Sequence, residues 1–297
     1  MLSPGVETTK YRFDFLKYRY IWLALSVAYL LIGAAAYVMK GGFAYHIDFT
    51  GGAELRVKFE QPVDIGAVRS VVSGGGWKES VIQSIGNSGK DFVMIIGSLS
   101  ADTEDRIKAA FASGIQNNPM RVENIQWVGA EAGKDTTTNA ILAVLMALVI
   151  LLLYIAVRFE FRFGIGAVIS LIHDVLAVMV FILLTGEQIS LHVLASILAV
   201  LGYSLNDTIV IFARIRENYA KYRNLSEYDL VNLSINQTLS RTLLTSFATT
   251  LSVLAIVLLG GENLRGLSVV MLVGIIVGTY SSIYIASPAM LAIKSKK

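Results

Sequence analysis

Six stretches of about 20 mostly apolar residues recur along the chain, and that repetition constrains the fold more than any other feature. They cover residues 20–39, 139–157, 163–184, 191–212, 242–259 and 267–293. Each is long enough to cross a hydrocarbon core as a helix, whose backbone groups are all paired internally. The last is long and carries Pro288, so its final turns are expected outside the hydrocarbon. Charged residues make up 16% of the 297, against about 25% in soluble domains, as befits a chain solvated largely by lipid. The absence of cysteine excludes disulfides and thiolate chemistry, and three scattered histidines (His46, His173, His192) make no metal cluster. With no Gly-x-x-x-x-Gly-Lys-Ser/Thr loop, no nucleotide is implied; no cofactor and no nucleic-acid partner are expected.

Basic residues set the orientation. Lys10, Arg12, Lys17 and Arg19 precede the first span, and Arg158 and Arg162 separate the second from the third. Arg214, Arg216, Lys221, Arg223 and Arg241 lie between the fourth and fifth, and Lys294, Lys296 and Lys297 close the chain. With six spans all of these fall on one side, whereas the opposite short loops, 185–190 and 260–266, hold only Arg265. Both termini are therefore expected in the cytoplasm, with the first span a retained signal anchor. Residues 214–228 read as an amphipathic helix on the cytoplasmic surface, or equally as a solvated connector.

The expected organisation is a tail and first span over 1–40, a periplasmic insertion over 41–135, and five spans with a tail over 136–297. In the insertion, 54–59 alternates as a strand does, 64–72 and 103–112 read as helices, and 80–85, 92–97 and 120–129 read as strands. Thr103 or Asp102 is expected to cap the second helix. The order β-α-β-β-α-β is that of a ferredoxin-like α+β domain. No catalytic constellation stands out there, and its polar residues are expected on a solvated surface.

Ionisable residues within spans cost about 2.5–3.5 kcal/mol on insertion scales and are functional candidates for that reason. His173 and Asp174 fall midway along the third span, Asp207 in the fourth, and Arg241 at the start of the fifth. At about 1.5 Å per residue, Asp174 lies roughly 16 Å from the outer end of its span, Asp207 about 24 Å and Arg241 about 27 Å. Asp207 and Arg241 thus reach one level on consecutive helices, where an ion pair would hold the carboxylate ionised until a proton arrived. Other readings stay open: Asp207 as interhelical glue, Arg241 as a snorkelling anchor, His173 with Asp174 as a satisfied structural pair. His192 is expected at the interface and Arg214 as an orientation signal. Gly274 and Gly278 form a Gly-x-x-x-Gly spacing suited to close helix packing.

Several runs resemble the SecF family, the smaller partners of SecD in bacterial protein export, within the resistance-nodulation-division superfamily. They are Tyr11-Arg-Phe-Asp-Phe-Leu-Lys17, Ile47-Asp-Phe-Thr-Gly-Gly52, His173-Asp-Val175, Gly202-Tyr-Ser-Leu-Asn-Asp-Thr-Ile-Val210, Arg214-Ile-Arg-Glu217, Ser234-Ile-Asn-Gln-Thr-Leu-Ser-Arg-Thr242 and Gly278-Thr-Tyr-Ser-Ser282. The resemblance implies an α-helical polytopic membrane protein forming half of a twelve-span pseudo-symmetric bundle in the bacterial inner membrane. SecD is implied as the other half, with the SecYEG translocon, YajC and the translocating preprotein as further partners and lipid as solvent. It implies that an ion gradient, taken as the proton gradient, helps to complete export. In the family, the aspartate of Asn206-Asp207-Thr208 and the arginine before the fifth span are associated with proton transport, which maps that role onto Asp207 and Arg241. Asp174 is a candidate extension of the path. Asp48, Gly51 and Gly52 match the family's motif after the first span. Ala213 departs from it, since many relatives carry an acidic residue there.

The leading expectation is thus an ion-gradient-coupled export subunit without covalent catalysis. Three alternatives stand beside it: an intramembrane aspartyl protease using Asp174 and Asp207, a passive scaffold, and a small-molecule efflux subunit. The choice of proton over sodium is not decided by these residues.

Overall fold

Helix ends in this protein are set by caps and turns rather than by the last apolar residue, and several helices outrun their apolar cores. The computed structural model describes residues 13–77, 80–85, 88–97, 103–115, 117–158 and 160–293. Lys10, Arg12, Lys294, Lys296 and Lys297, used above for orientation, and Asp102, one of two expected caps, lie outside the described residues. In chain order the elements are a 3-10 turn (Leu16–Tyr18), α1 (Arg19–Lys40), α2 (Ile47–Thr50), β1 (Gly52–Phe59), α3 (Ile65–Gly74), β2 (Val81–Ile85), β3 (Asp91–Ile96), α4 (Thr103–Gly114) and β4 (Met120–Val128). They continue with α5 (Ala130–Arg158), α6 (Phe161–Thr185), α7 (Leu191–Lys221), α8 (Glu227–Leu259), α9 (Glu262–Ser281), a π turn (Ser282–Ala286) and α10 (Ser287–Ala292). Among the described residues, six helical stretches are long and apolar enough to cross a membrane: Leu16–Lys40, Ala130–Ile155, Phe161–Thr185, Leu191–Lys221, Glu227–Leu259 and Leu264–Ala292.

The chain divides into two units, one of Tyr45–Leu142 and one of the described residues up to Ala44 and from Ala143 onward. The first holds a four-stranded antiparallel sheet in the order β2-β3-β1-β4, the ferredoxin-like arrangement. Period-two alternation along β1 sends Leu55, Val57 and Phe59 to one face, where they meet Phe92, Met94, Val68, Ile107 and Phe111. Asp64 caps α3 by accepting from Gly66 N at 2.8 Å. Acidic Glu104 and Asp105 occupy the first turn of α4, where the helix dipole favours negative charge. The unit ends inside a helix: α5 starts at Ala130 rather than 139, because the polar run before the apolar core keeps the helical backbone going.

In the other unit, about half of the apolar window is buried in α6, α7 and the sixth span (56%, 50% and 50%), against 11%, 11% and 17% in α1, α5 and α8. The centre is therefore α6, α7 and α9. Lys40 at the end of α1 donates to the carbonyls of Leu183 (2.7 Å) and Leu184 (3.2 Å), satisfying the last turn of α6. The separate surface helix expected over 214–228 is corrected: α7 runs unbroken to Lys221, and α8 starts at Glu227 behind the cap Ser226. Arg214 explains the extension, reaching Glu217 one turn on (2.6 Å) and Gln237 of α8 (2.7 Å). The segment before α1 is tied to α8 by Phe15 N donating to Asn232 Oδ1 (2.9 Å) and by the Tyr228 hydroxyl donating to Asp14 (2.7 Å). Pro288 lies in the first turn of α10, one residue beyond the start of that helix at Ser287. It has no N–H to give the preceding turn, and Ser287 Oγ donates to Ser282 O there at 2.9 Å.

The tightest contact of the centre is between α9 and α7. A Cβ on Gly274 would lie 2.1 Å from Val200 Cγ2, and one on Gly278 would lie 2.8 Å from Ser204 Cβ. Both glycines are required by this close approach. Gly278→Val is expected to cost about 1–3 kcal/mol through overpacking, while Gly202→Val, on an exposed position with nothing within 4 Å, stays within about 0.5 kcal/mol. Unfolding of the two variants in mixed detergent micelles, followed by circular dichroism, measures the difference.

Candidate functional site

The α7–α9 contact places polar side chains of both helices at membrane depth, and they separate into two hydrogen-bonded sets. The first surrounds Asp174, which is 0% exposed. Its Oδ2 accepts the hydroxyls of Ser204 on α7 and Ser281 on α9, the latter at 2.9 Å. Its Oδ1 lies 3.0 Å from Nδ1 of His173, and Ser170 donates to Ser281 at 3.1 Å. His173 Nε2 is 2.7 Å from the Tyr280 hydroxyl, which pairs in turn with Ser26 of α1. The ring of Tyr280 meets the imidazole edge-on, with centroids 5.4 Å apart.

The second set holds Asp207, also buried, at 2% exposure. Among the described residues its one hydrogen-bond donor is Ser246 of α8, at 3.5 Å. Ser246 lies closer to Thr279 of α9, at 2.8 Å, and accepts from Tyr203 at 3.0 Å. Thr279 commits its own hydrogen to Ile275 O at 2.7 Å, so the Ser246 hydrogen is drawn to Thr279 and Asp207 is left weakly bonded. One turn before Ser246, the Thr242 hydroxyl is buried without a hydrogen-bond partner.

The expected face-to-face pair of Asp207 and Arg241 is corrected. No ion pair within 4.0 Å joins them, and Arg241 is exposed on this unit, acting on Asp207 only through space. The reason is azimuth. Thr238, Thr242 and Ser246 form the buried stripe of α8, and Arg241, one residue before Thr242, is turned about 100° off it. Asn206 is likewise exposed and does not reach the Asp207 carboxylate. Asp174 and Asp207, which an aspartyl protease would need side by side, share no hydrogen-bond partner. His192 is exposed.

The motif residues after α1 build a separate structure in the soluble unit. Gly51 and Gly52 have φ of 70° and 118°, and a Cβ on Gly52 would lie 2.6 Å from Ile96 O. Ahead of them His46 sits between two carboxylates: Nε2 is 2.6 Å from Glu54 Oε2 and Nδ1 is 3.1 Å from Asp48 Oδ2. Burial opposes a charge on His46, but hydrogen bonds and attraction from Asp48 and Glu54 outweigh it and raise its pKa to about 9. Burial of Glu54 is likewise outweighed by His46, with help from Arg56, and its pKa is lowered. Asp48 N also lies 3.3 Å from Nδ1, but a doubly protonated ring donates there, so that approach is a close contact rather than a bond.

Sequence reasoning missed Ser26, Ser170, Tyr203, Ser204, Tyr280 and Ser246 as members of these sets. Tyr203, Ser204 and Tyr280 lie in the family runs quoted above, whereas the signal of Ser26, Ser170 and Ser246 was a hydroxyl in an otherwise apolar span, and such hydroxyls usually bond the preceding turn of their own helix.

Comparison with known proteins sets this geometry in context. Residues 108–296 match the family model described as protein export membrane protein SecD/SecF, C-terminal. The chain is 37% identical over 278 residues to a protein translocase subunit SecF of Pseudomonas aeruginosa, covering 94% of this chain and 90% of that protein. It is 36% identical over 290 residues to the SecF of Escherichia coli O157:H7, covering 96% of this chain and 89% of that one. Among solved structures, SecDF of Thermus thermophilus, a translocon-associated membrane protein, matches with a TM-score of 0.86 at 36% identity over 98% of this chain. A SecDF structure in a super-membrane-facing form matches at the same identity with a TM-score of 0.69. The chain spans 40% of the length of either SecDF chain.

The His46 cluster generates a pH prediction. Its contribution is complete below the ordinary histidine value of 6.5 and is lost as pH rises through about 9, while that of Glu54 is lost only as pH falls through its lowered pKa. The histidine term amounts to at most about 3 kcal/mol. Thermal melts of the full-length protein in detergent, followed by tryptophan fluorescence, are expected to lose stability between pH 6.5 and 9 in wild type, with a flatter profile in His46→Gln.

Proposed function

This chain belongs to the SecD/SecF family of protein-export membrane proteins, and on that premise we propose that it is a proton-coupled subunit of the export machinery. Asp207 is the group whose protonation changes. The observation that carries this reading is its setting: a fully enclosed carboxylate within the spans, with one long hydrogen bond and no ion pair. An ionised carboxylate there needs a cation or a proton. Arg241 supplies the cation by turning toward Asp207 in one state of the cycle and away in another, and its position one residue off the buried stripe supports such a movement. Asp174 is the second protonatable group.

A partner completes the bundle. The mostly unburied apolar windows of α1, α5 and α8, and the longer SecDF chains that this one matches in part, support a SecD-type half packed beside it. The positive-inside rule puts both termini in the cytoplasm and the ferredoxin-like unit on the far side. There, with the SecYEG translocon, it helps to complete transfer of the preprotein, without covalent catalysis. A passive scaffold is favoured by one observation, the missing ion pair between Asp207 and Arg241.

One experiment separates the two. With SecD-type partner and translocon co-reconstituted in proteoliposomes, Asp207→Asn is expected to reduce export under a proton gradient to the level seen with the gradient collapsed. Arg241→Lys retains part of the stimulation and Arg241→Leu loses it. Gradient-dependent export that is intact in Asp207→Asn at normal protein level overturns the coupling role of Asp207.

A further inference from the structure

The hydrogen bonds around Asp174 extend in one direction beyond what a structural carboxylate needs. Ser204, Ser281 and His173 already satisfy its two oxygens. The set nonetheless continues from the imidazole through Tyr280 to Ser26, one of the two buried residues of α1. Donor counting orders the hydrogens along it. A carboxylate only accepts, so Nδ1–H points at Asp174; Nε2 of the neutral ring then accepts from Tyr280, whose oxygen accepts from Ser26.

We infer that Ser26, Tyr280 and His173 form a proton relay ending on Asp174, a second proton-binding site distinct from Asp207. The inference rests on the reading of the bundle as proton-coupled. A proton arriving at Ser26 Oγ bonds there as the original Ser26 hydrogen passes to the Tyr280 oxygen. The Tyr280 hydrogen passes to His173 Nε2, and the Nδ1–H bond breaks toward Asp174 Oδ1. Ser26, Tyr280 and His173 end with the number of protons they began with, and Asp174 has gained one. Release by the same route reverses each transfer.

The surroundings favour this route. The titratable groups facing Asp174 are His173 from α6 and Tyr280 from α9, with Tyr29 of α1 engaged to Ala177 O at 3.3 Å. Asp207 of α7 lies three residues beyond Ser204, in the other set. Tyr284 of the π turn is stacked on Trp22 at 4.8 Å. No lysine or arginine among the described residues lies within 4.0 Å of Asp174, so His173 is its one basic neighbour at that range. Side-chain hydrogen bonds do not cross between the sets: Thr279 belongs to Asp207, and Tyr280 and Ser281 belong to Asp174.

Infrared difference spectroscopy on the full-length chain in lipid nanodiscs tests the relay. Within the carboxyl C=O signal that grows on acidification, wild type is expected to show one component removed by Asp207→Asn and another removed by Asp174→Asn. In the Asp207→Asn background, Tyr280→Phe, which keeps the ring and removes the hydroxyl, slows the rise of the Asp174 band after a pH jump by at least about tenfold. Ser26→Ala does the same one step farther out. An Asp174 band that does not titrate between about pH 4 and 10 overturns the second site. A band that rises as fast in both variants as in their parent overturns the relay. Because the signal is read with Asp207 already neutralised, the relay can fail while Asp207-dependent export stands, and the reverse.

Discussion

The approach of α9 to α7 through Gly274 and Gly278 governs the interior of the membrane unit. With side chains absent at these two positions, the helices touch through Val200 and Ser204, and the flanking residues of α9 are forced to opposite sides of the seam. Thr279 turns toward α8 and the Asp207 set, while Tyr280 and Ser281 turn toward α6 and the Asp174 set. Two buried carboxylates are thus kept apart by one backbone contact.

Magnitudes distinguish the two acids. An aspartate at mid-span costs about 2.5–3.5 kcal/mol to insert, and a side-chain hydrogen bond between membrane helices returns about 0.6 kcal/mol on average. Three partners around Asp174 offset much of the cost, whereas one bond at 3.5 Å leaves Asp207 mostly uncompensated. A weakly compensated acid changes state more readily than one bound on both oxygens. Asp207 therefore takes the coupling role in the proposed cycle, and Asp174 needs a dedicated path for its proton.

The spans and the ferredoxin-like order were legible in the chain, because hydropathy and period act locally. Azimuth was not. Counting residues put Asp207 and Arg241 at one depth, but α8 carries hydroxyl residues on several faces around Arg241 (Thr238, Ser240, Thr242, Thr245, Ser246), so no pattern revealed that Thr242 and Ser246 would face inward and Arg241 would not. Helix ends misled for a related reason: the charged stretch after 213 and the polar stretch before 139 are as helical as the apolar cores they adjoin. The hydroxyls of the Asp174 set come from helices far from it in sequence, and only packing brings Ser204 and Ser281 to Asp174 and Ser26 to Tyr280.

The π turn gives this arrangement its mechanical consequence. It begins at Ser282, immediately after the residues that serve both acids, and ends at Ala286, two residues before Pro288. An extra residue in a turn re-phases the helix on either side of it, and π turns occur mostly where such re-phasing serves a site. Below it, the carbonyl of Ala286 lies where a Cβ on Gly166 of α6 would be, 2.8 Å away, so α6 holds the lower segment closely. Any rotation of α9 above the turn would withdraw Thr279 from Ser246 and Tyr280 from His173 together, because the two side chains are consecutive. The acids share no hydrogen bond, yet they answer to one helix.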